Sequence, residues 1–562
     1  MMNDYTPRCR RVLASALLAV AWATPAFPGA HQPRTHPKLS AQVREEAKAK
    51  GKSKIDVIVR FRRNPGAVER ALVAASGGQI RRQHRSRWMS VRVAGNAVAA
   101  LANNPNVEFV VTDALLSASM EVSRETAGQP SPAMPESALK GAGVTMAIVD
   151  SGVALHPEIQ TLVAAVDFVG TYDPTFSPAG SVDPNGHGTH VAGIMVGSGS
   201  HSDDGRLAGV APEASLVSLR VLDDVGRGRS SDMLAALQWV LEHKDQYGIR
   251  VLNLSLGHPV FESLDVDPLV QAVNDLWDAG VVVVCSAGNS GRDGHGTVSS
   301  PCNSRKVITV GALNDRKTAD LTDDTVATYS SRGPTRLDLV AKPDLIAPGN
   351  RIVSTRSAGS HLDVMFPASR VAGDSSQPDV FEHFELSGTS MAAPFVAGAA
   401  ALMLEQDPSL NPATVKARLM LSAKKAAVGD PFATGAGLLD IEGALLATGA
   451  VADAPSPLAH ADADGRLSVE NTAALWGDSA FSLQALWSSA VLWSDASVDQ
   501  TELTTYAVLW PDTEALAMLW PESTTAAEAM LWPESTLWAE SILWPDEDGA
   551  LACMSTGNLV DP

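Results

Sequence analysis

Long apolar runs are nearly absent from this 562-residue sequence, and the one that occurs lies at the N-terminus. There Arg8, Arg10 and Arg11 precede a short apolar stretch that ends at Ala21-Trp22-Ala23. This order is typical of a secretory signal peptide, and the stretch is too short to span a bilayer. We therefore predict a signal peptide over 1–23, no transmembrane anchor after its removal, and a secreted protein, whether extracellular, periplasmic or associated with the cell surface.

Cysteine is scarce, with four residues in the whole chain. Cys9 leaves with the predicted signal peptide, so Cys285, Cys302 and Cys553 enter an oxidising compartment. Cys285 and Cys302 flank a loop that begins with Ala-Gly-Asn, which suggests a Cys285–Cys302 disulfide. The sequence does not give the separation of the two Cα atoms, on which such a bond depends.

A zinc-protease motif is also missing. His187 and His190 stand three apart in "NGHGTHVAG", with Gly and Thr between them. The zinc motif H-E-x-x-H needs histidines four apart and a glutamate that acts as base. We therefore predict no metal role for this pair, and we interpret His190 as a structural residue that packs one helical turn after His187.

Charge is distributed unevenly along the chain. Residues 451–562 carry 18 acidic residues and one Arg, whereas residues 31–120 carry 16 basic and 6 acidic residues. A basic N-terminal segment beside an acidic body suggests that the two attract each other, as a segment bound to its own enzyme would. The alternative, a nucleic-acid-binding arm, does not fit an exported protein, so no nucleic-acid partner is predicted.

The N-terminal part alternates between short strands and helices. "IDVIVRF", "SRWMSVRVAG" and "VEFVVTD" have strand patterns, and two helical patterns lie between them. The βαββαβ-like order predicts a small α+β ferredoxin-like domain over 55–113. A basic polar linker over 24–54 precedes it, and a Pro- and Ser-containing linker with a maturation site is predicted over 114–139.

The pattern changes from residue 143 onward. Short runs rich in Val, Ile and Leu, such as "VTMAIVD" and "GVVVVCSAGN", alternate with helical segments such as 230–244. Strands without a polar face are buried on both sides, which predicts an α/β domain with a doubly wound parallel sheet and helices on both faces over 140–449. In such folds functional residues gather at the carboxyl ends of the strands.

Four polar residues stand at such positions. Asp150 ends a predicted strand, Asn289 follows another, and His187 and Ser390 each lie at the start of a predicted helix. A serine hydroxyl needs a base to take its proton, and a histidine can do so near neutral pH. A buried carboxylate fixes the imidazole, and an asparagine amide and a helix N-terminus stabilise an oxyanion. The set predicts nucleophilic catalysis.

The segments "VDSGV", "GHGTHVAG" and "SGTSMAAPFVAG" resemble the three signature blocks of the subtilisin-like serine peptidases, in the same order, over about 140–447. The resemblance implies a catalytic triad of Asp150, His187 and Ser390, with Asn289 and the Ser390 N–H as oxyanion hole. Residues 55–113 resemble the inhibitor-type propeptide common in that family. No redox or organic cofactor is implied, and calcium is expected only as a structural ion whose ligands the sequence does not locate; the loop 200–206 looks like a solvated surface loop.

The resemblance also implies a substrate pocket with two walls and Ser299 near its base. The family pattern often has Gly where this chain has His258, which makes the subsite preference less certain. A core strand is the alternative reading of "NLSLG", and both readings are compatible. The predicted wall residues are Ser255, Leu256, Gly257, Ala287 and Gly288.

The C-terminal part repeats a dipeptide. After a predicted linker over 450–470, Leu-Trp occurs eight times in an acidic tail over 471–562. Three interpretations remain open: a disordered acidic extension, a repeat that binds a surface or partner through its Trp side chains, or a small stacked β module on the catalytic domain.

Together these features predict a secreted serine endopeptidase that hydrolyses protein or peptide substrates through an acyl-enzyme. It is made as a preproenzyme, its own propeptide serves as intramolecular inhibitor and chaperone, and self-cleavage falls within 113–124. The alternative is a non-catalytic protein with a protease fold that binds a surface or partner through the Trp repeats.

Overall fold

The structure is a computed structural model. It describes residues 36–84, 86–118, 139–170, 175–176, 181–316, 323–425, 430–461, 467–487, 544–545 and 551–552. The chain divides into two compact units, residues 1–37 and 38–562; the predicted signal peptide lies outside the described residues. Within the described ranges, no helix combines the length and apolar character needed to cross a membrane.

Thirteen α-helices and twenty-three strands lie in the described residues. The helices are α1 (Ala41–Lys50), α2 (Ala67–Ala75), α3 (Gly95–Ala102), α4 (His187–Val196), α5 (Ser230–Tyr247), α6 (Pro268–Asp278), α7 (His361–Met365), α8 (Thr389–Gln406), α9 (Pro412–Ser422), α10 (Pro431–Thr434), α11 (Ile441–Leu446), α12 (Thr472–Trp476) and α13 (Leu483–Trp487). The strands are β1 (Lys54–Phe61), β2 (Gln79–Gln83), β3 (Trp88–Ala94), β4 (Val107–Thr112), β5 (Leu115–Ala118), β6 (Thr145–Asp150), β7 (Leu162–Asp167), β8 (Thr175–Phe176), β9 (Ser215–Arg220), β10 (Arg227–Arg229), β11 (Ile249–Leu254), β12 (Leu256–Gly257), β13 (Val282–Ser286), β14 (Ile308–Asn314), β15 (Thr325–Val326), β16 (Leu345–Pro348), β17 (Ile352–Thr355), β18 (Arg370–Val371), β19 (His383–Leu386), β20 (Ala459–Ala461), β21 (Leu467–Val469), β22 (Trp544–Pro545) and β23 (Leu551–Ala552).

Residues 38–118 form a subdomain around a four-stranded antiparallel sheet in the order β2-β3-β1-β4. α2 joins β1 to β2 and α3 joins β3 to β4, which is the βαββαβ order read from the sequence pattern. Val57 and Val59 of β1 belong to the subdomain's own core, whereas Ile58 between them packs into the core of the larger domain. Because successive side chains of a strand point to opposite faces, both faces of this sheet are covered.

The start of this subdomain differs from the prediction of a polar linker over 24–54. Ala41–Lys50 form α1, whose N-terminus is capped by the Ser40 hydroxyl, which accepts a hydrogen bond from Val43 N–H at 3.3 Å. α1 packs against α3, and Val43 is its one buried residue. A helix that buries so little leaves a weak amphipathic pattern in the sequence, and for that reason the linker prediction is wrong here.

The larger domain is built on a nine-stranded sheet in the order β15-β14-β13-β11-β6-β9-β7-β8, with β16 paired to β14. The central strands pair in parallel, and only the short strands β15 and β8 are antiparallel. β6 is buried at every position, as expected for a strand covered on both faces. α4 and α8 pack together on the sheet, as do α5 and α6. The predicted parallel sheet flanked by helices is confirmed.

The C-terminal region also differs from its prediction. Within the predicted linker, β20 pairs with β21 as an antiparallel hairpin. The first two Leu-Trp repeats form the ends of α12 and α13, where Trp476 and Trp487 are buried in a separate apolar cluster with residues of α9. The stacked β module is therefore wrong for residues 471–487, which are helical. The other two interpretations, a disordered extension and a repeat that binds a partner, concern the later Leu-Trp repeats. Those repeats lie outside the described residues or, as in β22, have only their backbone described.

Cys285 and Cys302 are neighbours but are not joined by a disulfide. Both side chains are buried free thiols, and they contact each other through a hydrogen bond. Burial raises the pKa of the Cys285 thiol well above its ordinary value. Since a thiolate is needed to form a disulfide, this environment favours the reduced pair. The predicted Cys285–Cys302 disulfide is therefore wrong for this structure, in which both thiols are free.

Candidate active site

Asp150 is the last residue of β6, at the carboxyl end of a central strand. Its side chain is buried, and Oδ1 accepts a hydrogen bond from the Ser151 backbone N–H at 2.7 Å. The same oxygen lies 2.6 Å from Nδ1 of His187. A bond to Nδ1 leaves Nε2 of the ring available for a second partner.

His187 is the first residue of α4 and is fully buried. Gly186 before it has a φ of 103°, a left-handed conformation that glycine adopts without strain. A Cβ on Gly188 after it would stand 2.0 Å from the Gly152 carbonyl oxygen, so this glycine lets α4 approach the loop after β6. Nε2 of His187 is buried, and no hydrogen-bond partner for it lies in the described part of the chain.

Ser390 is the second residue of α8 and is also buried. Its hydroxyl donates a hydrogen bond to the backbone oxygen of Ser255 at 2.8 Å. The Ser255 hydroxyl in turn donates to the backbone oxygen of Ser390 at 3.0 Å. The Ser390 hydroxyl is therefore bonded to Ser255, between β11 and β12, and not to Nε2 of His187.

Asn289 lies after β13, and its side-chain oxygen is fixed by two donors. Oδ1 accepts hydrogen bonds from the Thr389 backbone N–H at 3.0 Å and from the Thr389 hydroxyl at 2.9 Å. The amide nitrogen Nδ2 is buried and has no hydrogen-bond partner among the described residues. The first N–H groups of α8 lack intrahelical acceptors as well. An amide donor and a helix N-terminus thus adjoin Ser390, a combination suited to an oxyanion.

The cleft beside Ser390 is filled by the chain itself. β5 lies between β10 and β12 and pairs antiparallel with both, so part of the predicted 114–139 linker is a strand. Ser117 is opposite Gly257 and Ala118 is opposite Leu256. Leu116 is 1% exposed whereas Leu115 is 47% exposed, so alternate side chains enter the protein and face the solvent. β5 is held as a bound extended peptide would be.

The predicted pocket walls lie on the two segments that flank this cleft. All five wall residues are buried, namely Ser255, Leu256, Gly257, Ala287 and Gly288. A Cβ built on Gly257 would stand 2.9 Å from Ser299 Oγ, and one built on Gly288 would stand 3.3 Å from it. Ser299 therefore lies between the walls. The ring of His258 stacks on Phe261 with centroids 5.5 Å apart, and Nδ1 lies 2.7 Å from the Pro259 oxygen.

The side chain of His190 has different hydrogen-bond partners from that of His187. Its Nε2 lies 3.1 Å from the backbone oxygen of Ile352 and 2.9 Å from that of Phe384. Burial lowers the pKa of His190 to about 3, so the ring is neutral and ties α4 to β17 and β19. This geometry agrees with a structural role.

Within the described ranges, no group of three or more His, Cys, Asp or Glu residues is arranged to hold a metal ion. In the loop 200–206, the Asp203 carboxylate accepts hydrogen bonds from the backbone and hydroxyl of Ser375 and lies 3.8 Å from Arg206. Asp203 is therefore tied to Arg206 of its own loop and to Ser375 of a distant segment.

One buried acid of this site, Asp183, is not among the residues predicted from the sequence. Asp183 accepts hydrogen bonds from Ser151, Gly186 and Thr189, which adjoin Asp150 and His187 along the chain. Its position four residues before His187, in a Pro-Asn-Gly turn, is the only sign of it in the sequence. Such a spacing identifies a residue near the site but not its contacts.

Comparison with known proteins places these residues in context. Residues 141–437 match the model of the subtilase family. Serine protease AprX of Bacillus subtilis (strain 168) is 36% identical over 412 residues, which is 71% of this chain and 89% of that protein. Subtilisin DY of Bacillus licheniformis is 33% identical over 306 residues, 54% of this chain and 92% of that protein.

A solved structure has the same fold. The crystal structure of fervidolysin from Fervidobacterium pennivorans, a keratinolytic enzyme related to subtilisin, superposes with a TM-score of 0.55. The match covers 70% of this chain and 61% of that one, at 22% sequence identity. At this identity the likeness concerns the fold alone.

Proposed function

The chain belongs to the subtilase family of serine-type endopeptidases, and from this premise we propose that it is a secreted protease, made as a precursor, that uses Asp150, His187 and Ser390. The observation that carries the proposal is a pair of buried polar atoms, His187 Nε2 and Asn289 Nδ2, that have no hydrogen-bond partner among the described residues. His187 Nε2 is the proton acceptor of a ring that is bonded to the Asp150 carboxylate. Asn289 Nδ2 is a hydrogen-bond donor beside Ser390 at the N-terminus of α8.

In the first step the Ser390 Oγ attacks the scissile carbonyl carbon while His187 Nε2 takes its proton. The Asp150 carboxylate, 2.6 Å from Nδ1, stabilises the imidazolium that forms. The new oxyanion accepts hydrogen bonds from Asn289 Nδ2 and the Ser390 N–H. His187 then protonates the leaving amine, and a water molecule that it deprotonates hydrolyses the acyl-enzyme.

For this step the Ser390 hydroxyl exchanges its bond to the Ser255 oxygen for one to His187 Nε2, since catalytic hydrogen bonds often form only once substrate is engaged. Nucleophile, base and oxyanion donors all come from the chain itself, so the reaction requires no redox or organic cofactor. Calcium remains an expectation for a structural ion only.

Residues 55–113, together with α1 and β5, act as propeptide in this proposal. Arg82 forms an ion pair with Asp232 at 2.9 Å, and both side chains are mostly buried. Asp113 accepts a hydrogen bond from the Ser231 N–H at 2.9 Å, in the first turn of α5, where a carboxylate is favoured by the helix dipole. The Arg82–Asp232 pair supports the attraction between the basic segment and the acidic domain, and the Asp113 bond docks the end of that segment on α5.

The register of β5 indicates where self-cleavage falls. Ser117 and Ala118 pair antiparallel with Gly257 and Leu256, so the C-terminal end of β5 runs towards Ser255, the residue before Leu256. The Ser255 oxygen is the acceptor of the Ser390 hydroxyl. We therefore expect cleavage directly after residue 119, inside the predicted window 113–124; residues 119–138 themselves lie outside the described ranges. The export signal of 1–23 completes the proposed preproenzyme.

A fluorophosphonate probe and casein test this function. The wild-type protein should be labelled at Ser390, hydrolyse casein, and have a new N-terminus after residue 119. Ser390→Ala should lose the label, the hydrolysis and the cleavage in a purified system, whereas Ser409→Ala, a solvent-exposed serine, should keep all three. Processing of purified Ser390→Ala would refute self-cleavage, and a wild-type protein without label or hydrolysis would refute the assignment as a protease.

A further inference from the structure

The Asp183 carboxylate accepts four hydrogen bonds while almost fully buried. Oδ1 accepts from the Ser151 hydroxyl and the Gly186 N–H, both at 2.8 Å. Oδ2 accepts from the backbone N–H of Thr189 at 2.8 Å and from its hydroxyl at 2.7 Å. The residue is 4% exposed. Every partner is a donor, which is the arrangement that an ionised carboxylate needs when water is excluded.

These donors lie on both sides of the Asp150–His187 hydrogen bond. Ser151 directly follows Asp150, and Gly186 directly precedes His187. The Ser151 hydroxyl also accepts a hydrogen bond from the Gly188 N–H at 2.9 Å, so it joins the end of β6 to the first turn of α4 a second time. A single carboxylate therefore spans the two elements that carry Asp150 and His187.

A helix cap alone does not account for this arrangement. A capping acid at an N-terminus bonds to the free N–H groups of its own helix, and the bonds to Gly186 and Thr189 do that. The bond to Ser151 connects the same acid to a different element, the loop after β6. It joins the loop after β6 to the residues before α4, and its effect is to fix where Asp150 stands relative to α4.

We propose that Asp183 is a positioning residue that holds Asp150 and His187 in the geometry required for proton transfer. The inference rests on the proposed function above. Asp183 touches neither substrate nor reacting atoms and acts through Ser151 and the start of α4. A misplacement of about 1 Å between catalytic groups typically costs about 10²-fold in rate, so its loss should affect the chemical step rather than substrate binding.

The test is Asp183→Asn, in which the amide NH₂ meets donors and two of the four bonds are lost. Variants are matured in trans by a trace of tagged wild-type enzyme, which is then removed. We expect kcat to fall by about 10²-fold, KM to stay within about twofold, fluorophosphonate labelling to slow in parallel, and the low-field proton resonance of His187 Nδ1 to shift or broaden. Asp440→Asn makes the same substitution at the acid that caps α11 through the Gly443 N–H; it is the matched control and should leave kcat and the resonance unchanged.

Ser151→Ala keeps the bonds of Asp183 to α4 and removes the bond across to the loop after β6, so it remains informative where Asp183→Asn does not fold. It should lower kcat by roughly tenfold, and the effects of the two substitutions should be less than additive, because the Ser151–Asp183 hydrogen bond is common to both. Normal kcat in a folded Asp183→Asn and in Ser151→Ala, or an equal loss in Asp440→Asn, would overturn the inference. Those results with an active wild-type enzyme leave the proposed function intact, whereas an inactive wild-type enzyme rejects the proposed function itself.

Discussion

The burial pattern of β5 predicts which substrate position contributes most to recognition. Leu116 is 1% exposed, and Leu115 next to it is 47% exposed. If a substrate lies in the cleft as β5 does, replacing the residue equivalent to Leu116 by Ala removes three buried carbon atoms. At about 0.8 kcal/mol per carbon this amounts to roughly 2.4 kcal/mol, or roughly 60-fold in kcat/KM.

The assay compares three chromogenic peptides that end in a nitroanilide. The parent is acetyl-Leu-Leu-Ser-Ala-Phe-nitroanilide, whose first four residues match 115–118. Ala at its second position should lower kcat/KM by roughly 60-fold, whereas Ala at its first position, equivalent to the exposed Leu115, should lower it by less than about threefold.

Two results would refute this reasoning. Equal kcat/KM for all three peptides would mean that substrates do not bind in the register of β5. A larger loss at the first position would mean that the strand faces the opposite way, since a shift of one residue exchanges the two faces of a strand.

Three further predictions concern the oxyanion site, the propeptide and the C-terminal cluster. Asn289→Ala should lower kcat by roughly 10²–10³ with little change in KM, the range of about 2.7–4 kcal/mol whose type example is the oxyanion asparagine of a subtilisin; a rise in KM with normal kcat would contradict this role. Burial beside the propeptide raises the pKa of Glu262 to about 8. The docked propeptide therefore favours the protonated carboxyl, and this contribution to docking of the propeptide is greatest below the ordinary pKa of 4.5 and is lost as the pH rises towards 8. Release of the cleaved propeptide, followed as the lag before activity, should therefore be faster at pH 8 than at pH 5, and Glu262→Gln should remove this dependence; an unchanged pH dependence in that variant would assign it to other groups. Trp487→Ala should lower the free energy of unfolding by about 3–5 kcal/mol, measured by denaturant unfolding, without changing kcat/KM, since Trp487 is 2% exposed in the cluster on α9; unchanged stability would show that this repeat is not part of the domain.

Local sequence patterns predict most of the catalytic domain. A strand such as β6 is apolar along its length because helices cover both of its faces, and that composition is visible without a structure. The positions of Asp150, His187, Asn289 and Ser390 follow from the same reasoning, because the ends of parallel strands converge at one edge of the sheet. These inferences need only the neighbours of each residue in the sequence.

Other features depend on contacts between distant segments. α1 buries one valine and has the composition of a polar linker. Cys285 and Cys302 are adjacent, but only their surroundings decide that they remain thiols. Trp476 and Trp487 end two short helices, and their side chains are buried in an apolar cluster instead of belonging to an extended tail. In each case the composition of the segment is compatible with several states, and tertiary burial selects one.

The sequence by itself determined the fold class and predicted which side chains react, because periodicity and residue chemistry are local properties. Only the tertiary structure decided that β5 occupies the cleft, that the Ser390 hydroxyl binds Ser255, and that Asp183 joins the loop after β6 to α4. Each of these is a pairing between segments far apart in the chain. Such pairings are set by the packing of the whole domain, which no short stretch of sequence contains.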